Sequence, residues 1–379
     1  MEKGVFDFAP VDRVIWGEPA HTAVAGAVRR VGAGRALVVA SRTLSRKTEL
    51  ITRIRDELGD SFGGLFDSCQ EHTPLESVID CAAAARQAEA DIIVTVGGGT
   101  PIDTVKIVQL CLAAGVDRVE DLKKLANRPR REPTGIRQII VPTTLSGGEY
   151  TSIAGGTDTE KKLKESYMAP DMCGQVIILD PAASVHTPEW LWLSTAIRGL
   201  DHAVEGYCAE ASHPFLQGQA LHAMRLFSTS LRQTKKDPKA LDARLQSQFG
   251  VWLCTVGLGR VPMGASHGIG YLLGTVAGVP HGYTSCVMLP GVLEWNRSVC
   301  GPAQEAIVAA LGQPGDTATA AVGSLLDDLG LPRTLRDVGV KQEQLDTIAE
   351  MAMFHPVVRS NPRPITAASE VREILDLVW

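Results

Sequence analysis

The 379-residue sequence has little of what marks several classes of protein. No apolar run reaches about 18 residues and the start, MEKGVFDFAP, has no hydrophobic signal core, so we expect neither a transmembrane helix nor a secretory leader. Aromatic residues make up only 5% of the chain, and the net charge of −6 comes from interspersed signs, which argues against nucleic-acid binding. We expect a cytoplasmic protein that binds neither membranes nor nucleic acid.

Cysteine pairs with a recognisable spacing are also lacking. No two of the eight cysteines have the C-x-x-C spacing of a metal or redox site; they are Cys69, Cys81, Cys111, Cys173, Cys208, Cys254, Cys286 and Cys300. Several lie in apolar stretches, so we expect buried, reduced thiols. A disulfide framework is not expected in a chain of this length.

The first half of the chain alternates two kinds of pattern. Apolar, β-branched segments typical of strands lie at 35–41, 91–99, 137–144 and 175–181, and segments with helical spacing separate them. Strand, helix and strand in this order indicate a parallel sheet with crossover helices. We therefore predict an α/β domain over residues 1–185.

The second half has a different texture. Alanine- and leucine-rich stretches with helical period run from about residue 190 to 378. No strand is predicted among them, and no helix is predicted over 278–301. We predict an all-α domain over residues 186–379, and the chain is long enough for two domains of ordinary size.

A glycine-rich loop follows the predicted strand at 91–96. In VTVGGGTPIDTVK, Gly97, Gly98 and Gly99 allow backbone N–H groups to approach a diphosphate, and the following helix adds unpaired donors. Thr100 caps the helix or contacts phosphate, and we count Asp103 among the cofactor-binding residues. The motif is neither G-x-G-x-x-G nor a P-loop, and a tight turn without a ligand is the alternative interpretation.

A second loop, rich in hydroxyls, follows the strand at 137–144. It reads VPTTLSGGEYTSIAGGTD over 141–158, and its Thr143, Thr144 and Ser146 are candidates to contact the same nucleotide. Loops at the carboxyl ends of neighbouring parallel strands meet at one crevice, where ligands bind. A simple Ser/Thr turn is the alternative.

Three histidines stand out in the predicted helical domain. His202 lies in the helix AIRGLDHAVEGY, where Arg198 and Glu205 share its face. His267 and His281 flank another apolar segment and are 14 residues apart. A shared site is one interpretation of these histidines, and separate structural roles are the other.

Four segments carry a resemblance to a known family: GGGTPIDTVK, PTTLSGGE, DHAVE and HGIGYLLGTVAGVPHG…LPGVLEWN. In order and spacing they resemble the iron-containing (group III) alcohol dehydrogenase family over nearly the whole chain. The finer features PTTLSGGEYTSIAGGTD, WLWLSTAIRGLDHAVE and NPRPI look closest to its maleylacetate reductase branch. The resemblance implies a Rossmann-like α/β domain and an all-α domain, an architecture shared with dehydroquinate synthase. It also implies hydride transfer between NAD(P)H and a carbonyl or alcohol in the cleft between the domains.

The resemblance also implies a set of site positions. Metal-dependent members hold the metal by an Asp, a His four residues later and two further His that are 14 apart. The histidine positions match His202, His267 and His281, whereas the Asp position is Arg198. Another family histidine near the nicotinamide is here Tyr271.

Arginine has no lone-pair donor and stays protonated, so Arg198 is incompatible with a ligand role. Asp201 does not easily replace it, because neighbouring side chains on a helix diverge by about 100°. We therefore expect that tight Fe²⁺ or Zn²⁺ binding is lost, as the resemblance to the maleylacetate reductase branch also implies. Arg198 then stabilises an alkoxide or binds a substrate carboxylate. An ion pair with Asp201 or Glu205 that only stabilises the helix is the alternative.

The remaining candidate catalytic residues follow from the same comparison. Tyr271 is a candidate proton donor tuned by His267 or His202, and Lys164 stands where the family has a lysine near the nicotinamide. His281 and Arg363, the latter in NPRPI, are candidate substrate-binding residues beside Arg198. Each has a structural alternative: a core tyrosine, a solvated lysine or a turn arginine.

Cofactor choice depends on the segment after the strand at 35–41. A carboxylate there would hold the ribose 2′-hydroxyl of NAD, but the chain has Ser41 and Arg42. We expect NADH or NADPH, with NADPH tolerated.

The leading hypothesis is a metal-independent, homodimeric NAD(P)H-dependent reductase of a small oxo-acid. The model substrate is 2-maleylacetate of aromatic-compound catabolism, which gives 3-oxoadipate. Three alternatives stay open: a metal-dependent alcohol dehydrogenase, a lyase of the dehydroquinate synthase type, and a binding protein without activity.

Overall fold

The computed structural model describes residues 3–312 and 317–379. The chain divides into two compact units, one that reaches to Thr187 and one that begins at Pro188. Among the described residues, no helix combines the length and the apolar character that a bilayer crossing requires.

The first unit is built on a six-stranded parallel sheet. Its strands are β1 (Arg13–Trp16), β2 (Ala36–Ala40), β3 (Phe62–Phe66), β4 (Ile92–Gly97), β5 (Arg137–Pro142) and β8 (Gly174–Leu179). They lie in the sheet in the order β1-β8-β5-β4-β2-β3. The helices are α1 (Ala20–Val31), α2 (Arg42–Lys47), α3 (Leu50–Leu58), α4 (Leu75–Gln87), α5 (Gly99–Ala114), α6 (Val119–Lys123) and α7 (Pro181–Ser184).

Both faces of this sheet are covered, which explains why its central strands are continuously apolar. Val38 and Val94 pack with α1 and α3 on one face, whereas Val39 and Ile93 pack with α4 and α5 on the other. The predicted α/β domain with a parallel sheet is confirmed.

A small antiparallel hairpin was not predicted. β6 (Ile153–Asp158) pairs with β7 (Leu163–Met168), so part of the segment predicted as a loop over 141–158 is a strand. Burial alternates along β6, but Gly155 and Gly156 weaken the strand pattern in the sequence.

The second unit is helical. Its elements are α8 (Glu189–Cys208), α9 (Pro214–Lys236), α10 (Leu241–Cys254), α11 (Ala265–Ala277), α12 (His281–Asn296), α13 (Gly301–Leu311), α14 (Ala318–Leu329), α15 (Leu345–Ala352), α16 (Pro356–Arg359) and α17 (Ala368–Leu377). The part of this unit that the structure describes contains no strand, which confirms the predicted all-α architecture.

The prediction missed one long helix, α12. It is buried on nearly every side, so its sequence lacks the period of a helix with one apolar face, and Pro290 lies inside it. Helix α12 fixes the position of a predicted site residue, because it begins at His281.

Candidate active site

The glycine loop of the first unit comes directly after β4, at the carboxyl edge of the sheet. Gly97 has a φ of 155°, and a Cβ there would lie 2.6 Å from Cγ of Pro101. A Cβ on Gly98 would lie 2.7 Å from Cγ2 of Thr144. Only glycine permits this packing, so the backbone of the loop is in van der Waals contact with its neighbours.

The predicted nucleotide contacts lie together at this edge. Ser41 follows β2 and Thr143 follows β5, the two strands beside β4, and each N–H donates to a β4 carbonyl oxygen: Ser41 to Val96 at 3.2 Å and Thr143 to Gly97 at 2.9 Å. The hydroxyls of Thr144 and Ser146 are 3.3 Å apart. The structure thus brings the two predicted loops together.

Helix α5 begins at Gly99 and includes Thr100 in its first turn. Its N-cap residue is Gly98, and no side chain caps the helix. The first N–H groups of α5 are therefore suited to an anionic ligand such as a diphosphate.

Asp103 and Lys164 meet at the hairpin rather than at the glycines. The carboxylate of Asp103 accepts a hydrogen bond of 3.3 Å from the Gly155 N–H. Lys164 is exposed on β7, and its alkyl chain covers Gly155, where a Cβ would meet Cε of Lys164. Asp103 thus anchors the strand over which Lys164 lies.

Ser41 and Arg42 begin a short helix, α2. Ser41 is its N-cap residue and accepts a hydrogen bond of 3.5 Å from the Leu44 N–H, while Arg42 is exposed. Arg42 also contributes to the lowered pKa of Asp67, behind the larger effect of the Arg46 guanidinium. No carboxylate follows β2 directly, but Asp67 follows β3, which the sequence did not indicate.

In the second unit, two of the three histidines form a stacked pair. The rings of His202 in α8 and His267 in α11 have centroids 4.7 Å apart and planes 26° apart. Both are buried. Nδ1 of His202 and Nε2 of His267 have no hydrogen-bond partner within the described ranges. Burial is the main cause that lowers the pKa of His267 to about 3 and that of His202 well below its usual value.

Glu205 lies about one helical turn after His202 in α8 and contacts the ring of His267. Its Oε2 is 2.7 Å from Nδ1 of His267, and its two oxygens also accept hydrogen bonds of 2.8 Å from the N–H groups of Gly264 and Ser266. Burial raises the pKa of Glu205 to about 7, while these backbone donors act in the opposite direction.

Arg198 and Asp201 are joined through a serine of α12. Arg198 is 3% exposed, and its Nη1 donates to Oγ of Ser285 at 3.1 Å. That hydroxyl donates in turn to Oδ2 of Asp201 at 2.6 Å, and Ser266 Oγ donates to the same oxygen at 2.7 Å. Oδ2 of Asp201 also lies 3.4 Å from Nδ1 of His267. Asp201 is therefore part of the site, although its side chain leaves helix α8 in a different direction from that of His202.

Tyr271 lies at the exposed side of this cluster. Cζ of Arg198 lies 5.3 Å from the centroid of its ring, and the His281 and His355 rings stack at 6.0 and 5.4 Å. Tyr271 is 40% exposed, and His281 is also exposed at the start of α12. The third predicted histidine therefore reaches the cluster through Tyr271, and its charge contributes to the lowered pKa of His202.

The side chain of Arg363 contacts the end of α12. Its Nη1 donates to the main-chain oxygen of Trp295 at 3.0 Å, and its guanidinium lies 3.5 Å from the centroid of the Trp295 ring. Trp295 lies 14 residues from His281 along α12, or roughly 21 Å of helix rise. Arg363 thus supports the end of α12, and its role as a substrate clamp stays a prediction.

The nearest donor set for a metal is Asp201, Glu205 and His267, whose ligand atoms lie within 4.8 Å of one another. Oδ2 of Asp201, both oxygens of Glu205 and Nδ1 of His267 already have hydrogen-bond partners, whereas Oδ1 of Asp201 and Nε2 of His267 have none among the described residues. The positive charge of Arg198 acts on all three groups and would repel a divalent cation bound there.

The sequence analysis considered Asp201 and Glu205 as ion-pair partners of Arg198 but did not place them in the site. They are four residues apart and therefore share a face of α8, a signal that was present in the helical spacing. Ser285 stands four residues after His281, but without α12 that spacing had no meaning. Nothing in the sequence pointed to His355.

Two family models match the chain. A model described as iron-containing alcohol dehydrogenase matches residues 11–181, and one described as Fe-containing alcohol dehydrogenase family, C-terminal, matches residues 193–379.

Individual relatives cover nearly the whole chain. Dehydrogenase ALT3 from Alternaria alternata is 33% identical over 373 residues, which cover 88% of this chain and 96% of that protein. Maleylacetate reductase 1 from Rhodococcus opacus is 31% identical over 367 residues, covering 97% and 94%. The crystal structure of maleylacetate reductase from Rhizobium sp. strain MTP-10005 superposes with a TM-score of 0.86 at 27% identity, covering 100% of this chain and 99% of that chain.

Proposed function

The chain belongs to the iron-containing alcohol dehydrogenase family and is thus an oxidoreductase, and from that premise we propose that it uses NAD(P)H to reduce an oxo-acid without a metal ion. The observation that carries the proposal is the buried guanidinium of Arg198, held by Ser285 beside His202 and His267. It stands at the position of the metal-ligand carboxylate of metal-dependent members.

The first unit supplies the nucleotide site in this proposal. The uncapped start of α5, the close packing of Gly97 and Gly98, and the hydroxyls of Thr144 and Ser146 suit a diphosphate. A bound nicotinamide supplies the hydride. No carboxylate follows β2 to repel a 2′-phosphate, and Arg42 is exposed there, so we include NADPH as well as NADH.

Arg198 takes over the electrostatic role of a cation. Its guanidinium is always charged and donates several hydrogen bonds, so it binds a carboxylate or the oxyanion that develops as hydride arrives. In 2-maleylacetate, hydride added to the carbon β to the ketone leaves an enolate, whose oxygen Arg198 stabilises. Protonation of the α carbon then gives 3-oxoadipate.

The groups around Arg198 divide the remaining work. Tyr271 carries a hydroxyl at the exposed side of the cluster and donates the proton, either to carbon or to an alkoxide. His202 and His267 stay neutral because burial lowers their pKa values, so Arg198 supplies the positive charge of this cluster. His281 is exposed beside Tyr271 and contacts the second carboxylate of a dicarboxylic substrate.

The test is a panel of oxo-acids and aldehydes, assayed at 340 nm with NADH and NADPH, each with and without chelator. We expect oxidation of the nucleotide with a dicarboxylic oxo-acid, weak turnover of neutral aldehydes, and no effect of the chelator. Metal analysis of the purified protein accompanies it. About one tightly bound metal ion per chain, or activity that chelation removes, would overturn the metal-free part of the proposal.

One observation favours a second candidate, a metal-dependent alcohol dehydrogenase. The ligand atoms of Asp201, Glu205 and His267 lie close enough together to bind a divalent cation. Asp201 and Glu205 each lie three residues, about one helical turn, after the family's ligand positions at Arg198 and His202. A cation bound through Oδ2 of Asp201 and the oxygens of Glu205 would replace the hydrogen bonds that hold Ser266, Ser285 and the start of α11, whereas Oδ1 of Asp201 has no partner among the described residues. The same metal analysis separates the two candidates.

A further inference from the structure

Glu205 has no part in the proposed reaction, yet it is among the most constrained side chains of the second unit. It is 6% exposed, and its two carboxylate oxygens contact four donor atoms: the N–H groups of Gly264, Ser266 and His267, and Nδ1 of His267. These contacts cross from α8 to the start of α11, 59 to 62 residues further along the chain. These contacts indicate that Glu205 has a specific structural or functional role.

The first role is to cap α11. The N-cap residue of this helix is Gly264, which has no side chain, and no residue of the helix provides a cap. Glu205 accepts hydrogen bonds from the N–H groups of Gly264, Ser266 and His267, and Oδ1 of Asn361 accepts one from the N–H of Ala265 at 3.2 Å. Glycine is needed because a Cβ at position 264 would lie 2.7 Å from Oε1 of Glu205. A carboxylate is the group best suited to this place, because the positive end of the helix dipole points at it.

The second role concerns the tautomer of His267. Both oxygens of Glu205 already accept a backbone N–H at 2.8 Å, so the carboxylate faces Nδ1 as an acceptor. Nδ1 therefore carries the hydrogen and donates it at 2.7 Å. In a neutral imidazole the other nitrogen, Nε2, is then left with a lone pair, and no described residue donates to it.

We propose that Glu205 is a positioning residue that holds His267 in the Nδ1–H tautomer and so presents Nε2 as a hydrogen-bond acceptor to the substrate. The proposal rests on the proposed function and deepens it. Arg198 offers only donors and His267 offers an acceptor, so the site distinguishes a substrate oxyanion from a substrate hydroxyl. A group that fixes a histidine tautomer in this way affects catalysis without touching the substrate.

The decisive variant is Glu205→Gln. With the amide oxygen at the place of Oε1, that oxygen still accepts from the Ser266 N–H, and the amide nitrogen at the place of Oε2 donates to Nδ1 while the Gly264 N–H loses its acceptor. The hydrogen of His267 then moves to Nε2. We expect kcat to fall at least about tenfold with little change in KM for the nucleotide. We also expect ¹⁵N spectra of histidine-labelled protein to show protonated Nδ1 in the wild type and protonated Nε2 in the variant.

A capping control separates this effect from loss of stability. Thr317 caps α14 in the same unit, where its Oγ1 accepts a hydrogen bond of 3.1 Å from the Ala320 N–H. Thr317→Ala should lower Tm with no loss of kcat at temperatures where it is folded. If Glu205→Gln lowers kcat no more than this control does, the positioning role is wrong and Glu205 is a cap alone.

A double-variant cycle completes the test. His267→Asn keeps an N–H donor close to the place of Nδ1 but lacks Nε2, so Glu205→Gln should cost little additional kcat in that background. Additive losses, or a wild-type spectrum with protonated Nε2, overturn the proposal. The spectra are recorded without substrate, so they decide the role of Glu205 even if no oxo-acid is reduced and the proposed function fails.

Discussion

A buried arginine requires compensation, because its guanidinium cannot lose its charge in a protein. Arg198 obtains part of that compensation from Ser285 and, through the same hydroxyl, from the carboxylate of Asp201. The carboxyl group of Glu205, two neutral histidines and the face of Tyr271 also surround it.

We predict that Arg198→Ala raises KM for an oxo-acid, or lowers kcat, by at least about tenfold, because the fixed charge at the reacting oxygen is lost. Steady-state kinetics measure the effect. Arg363→Ala is the matched control: it removes an arginine that stacks on Trp295, so Tm should fall while the KM for the oxo-acid stays the same. Equal kinetic losses in the two variants would contradict the assignment.

Glu149 provides a prediction about pH and stability in the first unit. It is 2% exposed, and burial raises its pKa from 4.5 to about 7, although Lys106 acts against the shift. The folded chain therefore holds this proton more tightly than the unfolded chain. The stabilisation is full below pH 4.5 and is lost as pH rises through about 7.

Glu149→Gln should remove this dependence. Between pH 5 and pH 8, the free energy of unfolding of the variant relative to the wild type should rise by about 2–3 kcal/mol, because only the wild type must bury an ionised carboxylate at the higher pH. Denaturant unfolding of both proteins at the two pH values measures the difference. The same difference at both values would show that Glu149 is ionised in the fold throughout.

At the scale of elements, the strands and amphipathic helices were predictable and the fully buried helix was not. The apolar sequence of β4 and the glycines after it indicate a strand, a tight turn and the start of a helix by local rules. Helix α12 has no polar face, so the period that reveals a helix is absent. The site residues of α8 could be predicted from their helical spacing. Ser285 and His355 could not, because their place in the site depends on tertiary packing that no local pattern contains.

The contact between the two nucleotide loops yields a prediction at this scale. In Gly98→Ala the new Cβ would lie 2.7 Å from Cγ2 of Thr144 and push the loops apart, so we expect KM for NAD(P)H to rise about tenfold. Thr144→Ser lacks that methyl group. The double variant should therefore recover most of the affinity, and failure to recover would mean that the backbone of Gly98, rather than its contact with Thr144, limits binding.

At the scale of the molecule, each unit offers a positive potential by a different device. In our proposal the first unit uses backbone N–H groups at the start of α5, which suit a diphosphate without any basic side chain in the loop. The second unit uses the guanidinium of Arg198, which lies beside neutral histidines and the carboxyl groups of Asp201 and Glu205. We expect a chain with a net charge of −6 to attract anionic ligands at these two places.

Thermal unfolding of the whole chain tests both devices together. A nucleotide present at 100 times its Kd stabilises the state that binds it by about 2.7 kcal/mol, so NADH or NADPH should raise Tm measurably. A chelator such as EDTA should leave Tm unchanged in our proposal, since charge at the site comes from Arg198 rather than from an ion. The matched comparison is Arg198→Asp, which restores a carboxylate four residues before His202. We expect zinc to raise the Tm of this variant and EDTA to lower it, while the Tm of the wild type responds to neither. That result would show that Arg198 is the residue that prevents metal binding in this chain. A wild type that loses stability in EDTA would contradict this.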